Sequence, residues 1–137
     1  MNQKLLRIGL ALLITVAIGC NSSSNTTPAA SPTDAATFKP LLGHWIRPDG
    51  GYMLMIHKIE PDGKATVSYY NPNPIRVSEA QATQQEGMLK LFVELRDAGY
   101  PGCTYRLTYN KTKDQLVGVY FQAAQQQSYD IYFERGR

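Results

Sequence analysis

The side chains of this sequence that could do chemistry are few and scattered. Glu94 and Asp97, with Arg96 between them, are the best pair of carboxylates for general acid and base work. One belongs to a strand and the other to the turn after it, so an outward ion pair of Glu94 with Arg106 is the expected arrangement. His44 and His57 have the right atoms for a metal, yet neither is joined by a second histidine at helical or hairpin spacing, and both are expected as surface imidazoles. Ser68, Ser78 and Ser128 lack the strand-turn-helix setting of an activated nucleophile, and no glycine-rich phosphate loop precedes a helix. Cys103 shares strand parity with Tyr105 and Leu107, the place of a buried thiol and not of an exposed, electropositive nucleophile. No catalytic residue, metal or cofactor is expected, and the chain reads as a binding protein, not an enzyme.

Cys20 is placed by its surroundings. Lys4 and Arg7 form a positive start, Ile8 to Ile18 a short apolar run, and Gly19 a small residue before the cysteine, the three parts of a secretory signal. The run is too short to span a membrane, which takes about 20 apolar residues. The arrangement resembles the lipobox of bacterial lipoproteins. That resemblance implies a signal peptide over residues 1–19, cleavage before Cys20, a diacylglycerol on its sulfur and attachment to the membrane through that lipid. Asn21 stands where such lipoproteins carry Asp when they are kept at the inner membrane. In a Gram-negative cell the expected location is the outer membrane, facing the periplasm.

Loss of the signal removes Lys4 and Arg7, leaving 12 basic residues of the original 14 against 11 acidic ones. A near-neutral chain without a basic stripe is not expected to bind nucleic acid. With Cys20 lipidated, Cys103 has no disulfide partner. Residues 20–37 carry the lipidated cysteine and a Ser/Thr/Pro/Ala tract too poor in apolar surface to fold. As a flexible coil of about 17 residues it reaches about 23 Å, enough to lift a small domain off the headgroups.

The elements that must position everything else lie in residues 38–137. Apolar and polar residues alternate there with period two, and turn signals recur every eight to twelve residues. The expected strands are Gly43 to Pro48, Gly51 to Ile59, Lys64 to Asn71, Ile75 to Thr83, Gly87 to Arg96, Gly102 to Asn110, Asp114 to Ala123 and Gln127 to Arg135, with no helix. Asn71-Pro72-Asn73-Pro74 is expected to interrupt the ladder. Eight strands connected in order predict an all-β, up-and-down antiparallel barrel closed by pairing the last strand with the first. Parity turns Leu89, Leu91, Val93 and Leu95 inward, with Tyr105, Leu107, Tyr109, Tyr129, Ile131 and Phe133. The strand from Asp114 is apolar on both sides, and Phe38, Leu41 and Leu42 are the candidates to cover its outer face.

Gly43-His44-Trp45 resembles the Gly-x-Trp signature of lipocalin- and avidin-type barrels. That likeness implies that Trp45 closes one barrel end under a late arginine, Arg135 or Arg137. Trp45 to Tyr52, Tyr70 to Ile75, and Val93 to Asp97 with Tyr100 to Gly102 resemble a family of uncharacterised bacterial secreted proteins and lipoproteins, a likeness that supports the domain limits and implies no activity. Alternating strand direction gathers the turns at Pro48 to Gly51, Asn71 to Pro74, Asp97 to Pro101 and Ala124 to Gln126 at one end. Tyr70, Asn71, Asn73, Asp97 and Tyr100 there form the candidate binding surface, pre-organised by prolines. Short strands and large core residues are expected to leave little lumen. The leading reading is a lipid-anchored binding module for an envelope protein or polymer. The alternative is a lipocalin-like carrier of a small apolar ligand, which needs some of Tyr105, Tyr109, Tyr120 and Tyr129 around a cavity.

Overall fold

The structure is a computed structural model that describes residues 34–137. The signal sequence and Cys20 lie outside them. Strict alternation builds the wall: along Met88–Leu95 every second residue, from Leu89 to Leu95, is buried. Nine strands result, β1 (Gly43–Ile46), β2 (Met53–Ile59), β3 (Ala65–Asn71), β4 (Asn73–Ile75), β5 (Val77–Gln85), β6 (Met88–Leu95), β7 (Cys103–Asn110), β8 (Gln115–Gln122) and β9 (Gln127–Arg135). They form one antiparallel sheet in the order β4-β3-β2-β1-β9-β8-β7-β6-β5, an up-and-down, nearly closed barrel. The first strand meets the last through Trp45 opposite Arg135 and Ile46 opposite Glu134.

The ninth strand comes from the proline segment. Asn73–Ile75 folds back on β3, pairing Asn71 with Asn73, Tyr70 with Pro74 and Tyr69 with Ile75, where an interruption was expected. Proline is tolerated because β4 ends the ladder, so its missing N–H faces no further strand. Ser78 then adds one residue to β5. The register against β6 slips by one between Val77–Leu95 and Glu79–Glu94. The register against β3 slips by the same amount between Tyr69–Ile75 and Lys64–Gln81. One bulge accounts for both shifts. It leaves β3 and β5 joined by the Lys64–Gln81 bridge and by the Ala82 N–H donating to the Gly63 carbonyl at 2.7 Å. Gly63 has φ +85, and a Cβ there would stand 2.1 Å from the Ala82 oxygen. Only glycine permits that approach.

A 3₁₀ helix over Ala35–Leu41 opens the domain, with the Asp34 carboxylate accepting the Ala36 N–H at 3.1 Å. The sequence reading expected no helix and assigned its first three residues to the tether. Phe38 and Leu41 are buried, but not on the outside of β8. Only Leu42 separates the helix from β1, too short a link to pass around β9, so the helix plugs the lower barrel end. Outward Val117 of β8 and its partner Tyr132 of β9 stay about two-fifths exposed, at 41% and 42%. Leu54, Ile56, Leu91, Val93, Leu107, Leu116 and Phe133 fill the lower and middle barrel.

Trp45 has no exposed surface, and its Nε1–H donates to the Leu41 carbonyl at 2.8 Å. Trp45→Ala should cost about 3–5 kcal/mol in chemical denaturation, the range for truncating a buried aromatic. A loss under about 1 kcal/mol would mean that the lower end closes without it.

Candidate functional site

The two barrel ends are built differently. At the lower end the Arg135 guanidinium lies over the Trp45 ring, 4.2 Å from its centroid. Its Nη1 and Nη2 donate to the carbonyls of Leu42 and Pro40 at 2.9 and 2.7 Å, and its Nε and Nη2 grip Asp114 at 2.6 and 2.9 Å. Arg135, not the exposed Arg137, takes the place over the tryptophan. Tyr109 joins it from β7, its ring 6.1 Å from Trp45 edge-on and its hydroxyl donating to Asp114 at 3.0 Å.

The upper end, where the connections after β1, β3, β6 and β8 meet, holds an open cup of about 560 Å³. Arg47 stands in it, 7% exposed and the one buried charged residue among the described ones. It shares parity with Trp45 and so turns inward where β1 ends. Its Nε and Nη2 donate to the two Asp49 oxygens at 2.9 and 2.5 Å, and its Nη1 to the Tyr105 hydroxyl at 3.0 Å. The ring of Tyr52 lies 4.4 Å from its Cζ. Desolvation opposes the charge, but the bonds to Asp49 and Tyr105 outweigh it and hold Arg47 protonated above its ordinary range.

Tyrosines make the wall. Tyr105, Tyr120 and Tyr129 are direct cross-strand partners on β7, β8 and β9, stacked at centroid distances of 4.7 and 6.4 Å. Such pairs stabilise a sheet and hold one another's rings in place. Tyr69 packs on Tyr105 at 5.6 Å, its hydroxyl 2.9 Å from that of Tyr105, and meets Tyr100 edge-on at 6.5 Å. Burial pushes the hydroxyls of Tyr69, Tyr105 and Tyr120 above the ordinary phenol range. They are therefore protonated hydrogen-bonding groups at neutral pH, not bases. Asn71, Gln122, Asp49 and Asp130 complete the polar part of the lining.

The structure brings together two of the five residues proposed as a binding surface. Asn71 and Tyr100 line the cup, with Asn71 Nδ2 donating to the Tyr100 hydroxyl. Tyr70 faces outward, as it must when its neighbour Tyr69 faces in. Asn73 is exposed, and Asp97 caps its own turn, accepting the Ala98 N–H at 2.9 Å and the Arg76 N–H at 3.4 Å. Tyr105, Tyr120 and Tyr129 line the cup, whereas Tyr109 belongs to the lower end. Arg47 and Tyr52 were missed; carrying Trp45's parity two residues further would have pointed Arg47 inward.

The scattered chemical candidates stay apart. Glu94 pairs with Arg96 at 2.5 Å and not with Arg106, whose guanidinium lies 5.2 Å from the Phe92 ring centre. His44 is exposed, and His57 meets Ser68 Oγ at 2.9 Å. Cys103 is fully buried, its sulfur 3.8 Å from Gln122 Oε1. Among the described residues no three His, Cys, Asp or Glu side chains converge as metal ligands. Comparison of the chain with protein-family models, with curated proteins and with solved structures finds no match.

Arg47 holds the Asp49 carboxyl below its usual range, and Arg135 does the same for Asp114. A carboxyl with a depressed folded pKa contributes stability that is complete above its unfolded value, about 3.9, and is lost as pH falls through the lower folded value. Asp114→Asn should lower stability at pH 7 by no more than about 1 kcal/mol, because the pair is screened by solvent. It should also flatten the fall in melting temperature below about pH 4. A variant whose acid profile overlays that of the parent would show that the Asp114–Arg135 pair adds nothing to folding.

Proposed function

We propose that this chain is a non-catalytic binding module of the cell envelope, held by a lipid on Cys20, with the tyrosine-walled cup as the seat of its ligand. In a Gram-negative cell the anchor is in the outer membrane and the domain faces the periplasm. The cup carries this reading: about 560 Å³ falls within the range of roughly 300–1,000 Å³ usual for ligand sites. The lumen is filled below but open above. The ligand is an envelope polymer or protein that places one unit in the cup, or, in the carrier reading that the cavity size favours, a free small molecule.

The 3₁₀ helix supports the orientation. It lies at the lower end, so the described part of the chain begins opposite the cup's mouth.

Cys20→Ala should move the protein from membrane to soluble fractions with an unchanged melting temperature. Mass spectrometry finding Cys20 unmodified in the mature protein would overturn the anchor. Crosslinking of the anchored protein in its own envelope should capture a partner that Tyr100→Ala with Tyr129→Ala loses at the same melting temperature. Retention by that folded variant, with loss on changing Lys111 and Lys113 at the opposite end, would place binding elsewhere.

A further inference from the structure

We propose that the cup binds an uncharged sugar ring; the inference rests on the cup being the ligand seat. It comes from the hydrogens and lone pairs left uncommitted there. Arg47 has five N–H donors, of which three are committed to Asp49 and Tyr105. Two remain. The Tyr69 and Tyr105 hydroxyls share one hydrogen bond, and an arginine accepts none, so one phenolic hydrogen of that pair has no acceptor in the protein whichever of them donates. The Tyr100 hydroxyl accepts from Asn71, which leaves its own hydrogen free. Gln122 accepts the Ala124 N–H at 2.8 Å through Oε1, leaving its Nε2 as a donor.

The inner cup is thus rich in donors, while the spare acceptors are the Asn71 Oδ1, the remaining lone pairs of the half-exposed Asp49 and the exposed Asp130 carboxylate at the rim. The charges facing the space are Arg47, Asp49 and Asp130, so no excess of positive charge is present to hold an acid. A purely apolar ligand would leave the donors unpaired, which is costly in a desolvated site. A sugar meets all three conditions. Its hydroxyls both accept and donate, it carries no charge, and its C–H face lies flat on the negative face of an aromatic ring. The rings of Tyr120 and Tyr129, on neighbouring strands, and of Tyr100, on the loop after β6, line the cup and supply that aromatic surface.

The test is calorimetric titration of the full-length lipidated protein, in a sugar-free detergent, with maltotriose and with chitotriose as neutral probes and benzoate as the acidic, flat control. One of the two oligosaccharides should bind saturably and equally well at low and high salt. Tyr100→Ala should weaken it by about tenfold, the effect of losing one aromatic contact, and Tyr100→Phe by less, at an unchanged melting temperature. Absence of binding by both oligosaccharides, or binding indifferent to Tyr100→Ala and Tyr129→Ala, would overturn the proposal. Tyr100-dependent binding of benzoate alone would overturn the sugar and leave the cup as the ligand seat. If no probe binds and the envelope partner is retained by the double tyrosine variant, the cup reading falls as well.

Discussion

The lower end of this barrel depends on the cation of Arg135. From the last strand it lies over the ring of Trp45 on the first, takes two carbonyls that frame the end of the 3₁₀ helix, and grips Asp114 in the turn before β8. Three segments distant in sequence are therefore fastened at one point. A guanidinium suits this better than an ammonium, because its planar fork satisfies several acceptors while its face stacks on the indole. Without it the Pro40 and Leu42 carbonyls would lose donors where the chain turns into the barrel.

Arg47 repeats the chemistry at the other end with an opposite outcome. Both arginines sit on aromatic rings and hold one half-exposed aspartate, but Arg135 closes its end and Arg47 leaves space above it. The difference lies in what the chain supplies. The lower end receives Phe38 and Leu41 from the 3₁₀ helix, whereas the upper end receives turns. Its large side chains stack on one another across β7, β8 and β9, and so stand along the wall and not across the opening.

Much of this was legible in the sequence. Period-two alternation marked all the strands but β4, parity placed Leu91, Tyr105 and Phe133 inside, and the Gly-x-Trp likeness placed Trp45 at the barrel end. What escaped it depends on contacts between distant strands. Asn73–Ile75 pairs only because β3 offers an open edge, and no local rule about proline could foresee that. The Ser78 bulge is set by the need to satisfy β3 and β6 at once. Phe38 and Leu41 were recognised as apolar and given the wrong surface, since their burial follows from the one-residue link to β1. Arg47 was lost because a charged residue is assigned outward by default, although the partners that permit its burial, Asp49 and Tyr52, are close by in sequence.

The candidate site shows the same division. Turn chemistry pointed to the end that holds the cup, but most of the cup's lining is on the strands beneath those turns, where the leading sequence reading expected core and only the carrier alternative placed Tyr105, Tyr120 and Tyr129 around a cavity. A tyrosine on an inward strand position serves two purposes: its ring packs like a core residue and its hydroxyl requires a partner. In a filled barrel that hydroxyl must find one within the protein. Here Tyr69, Tyr105 and Arg47 bond to one another and still leave donors over, at an end that no apolar plug covers. Burial keeps those phenols protonated, and the cross-strand stack holds their rings in place before anything arrives. A ligand that met them would order little of the protein, so most of its contact energy would appear as affinity.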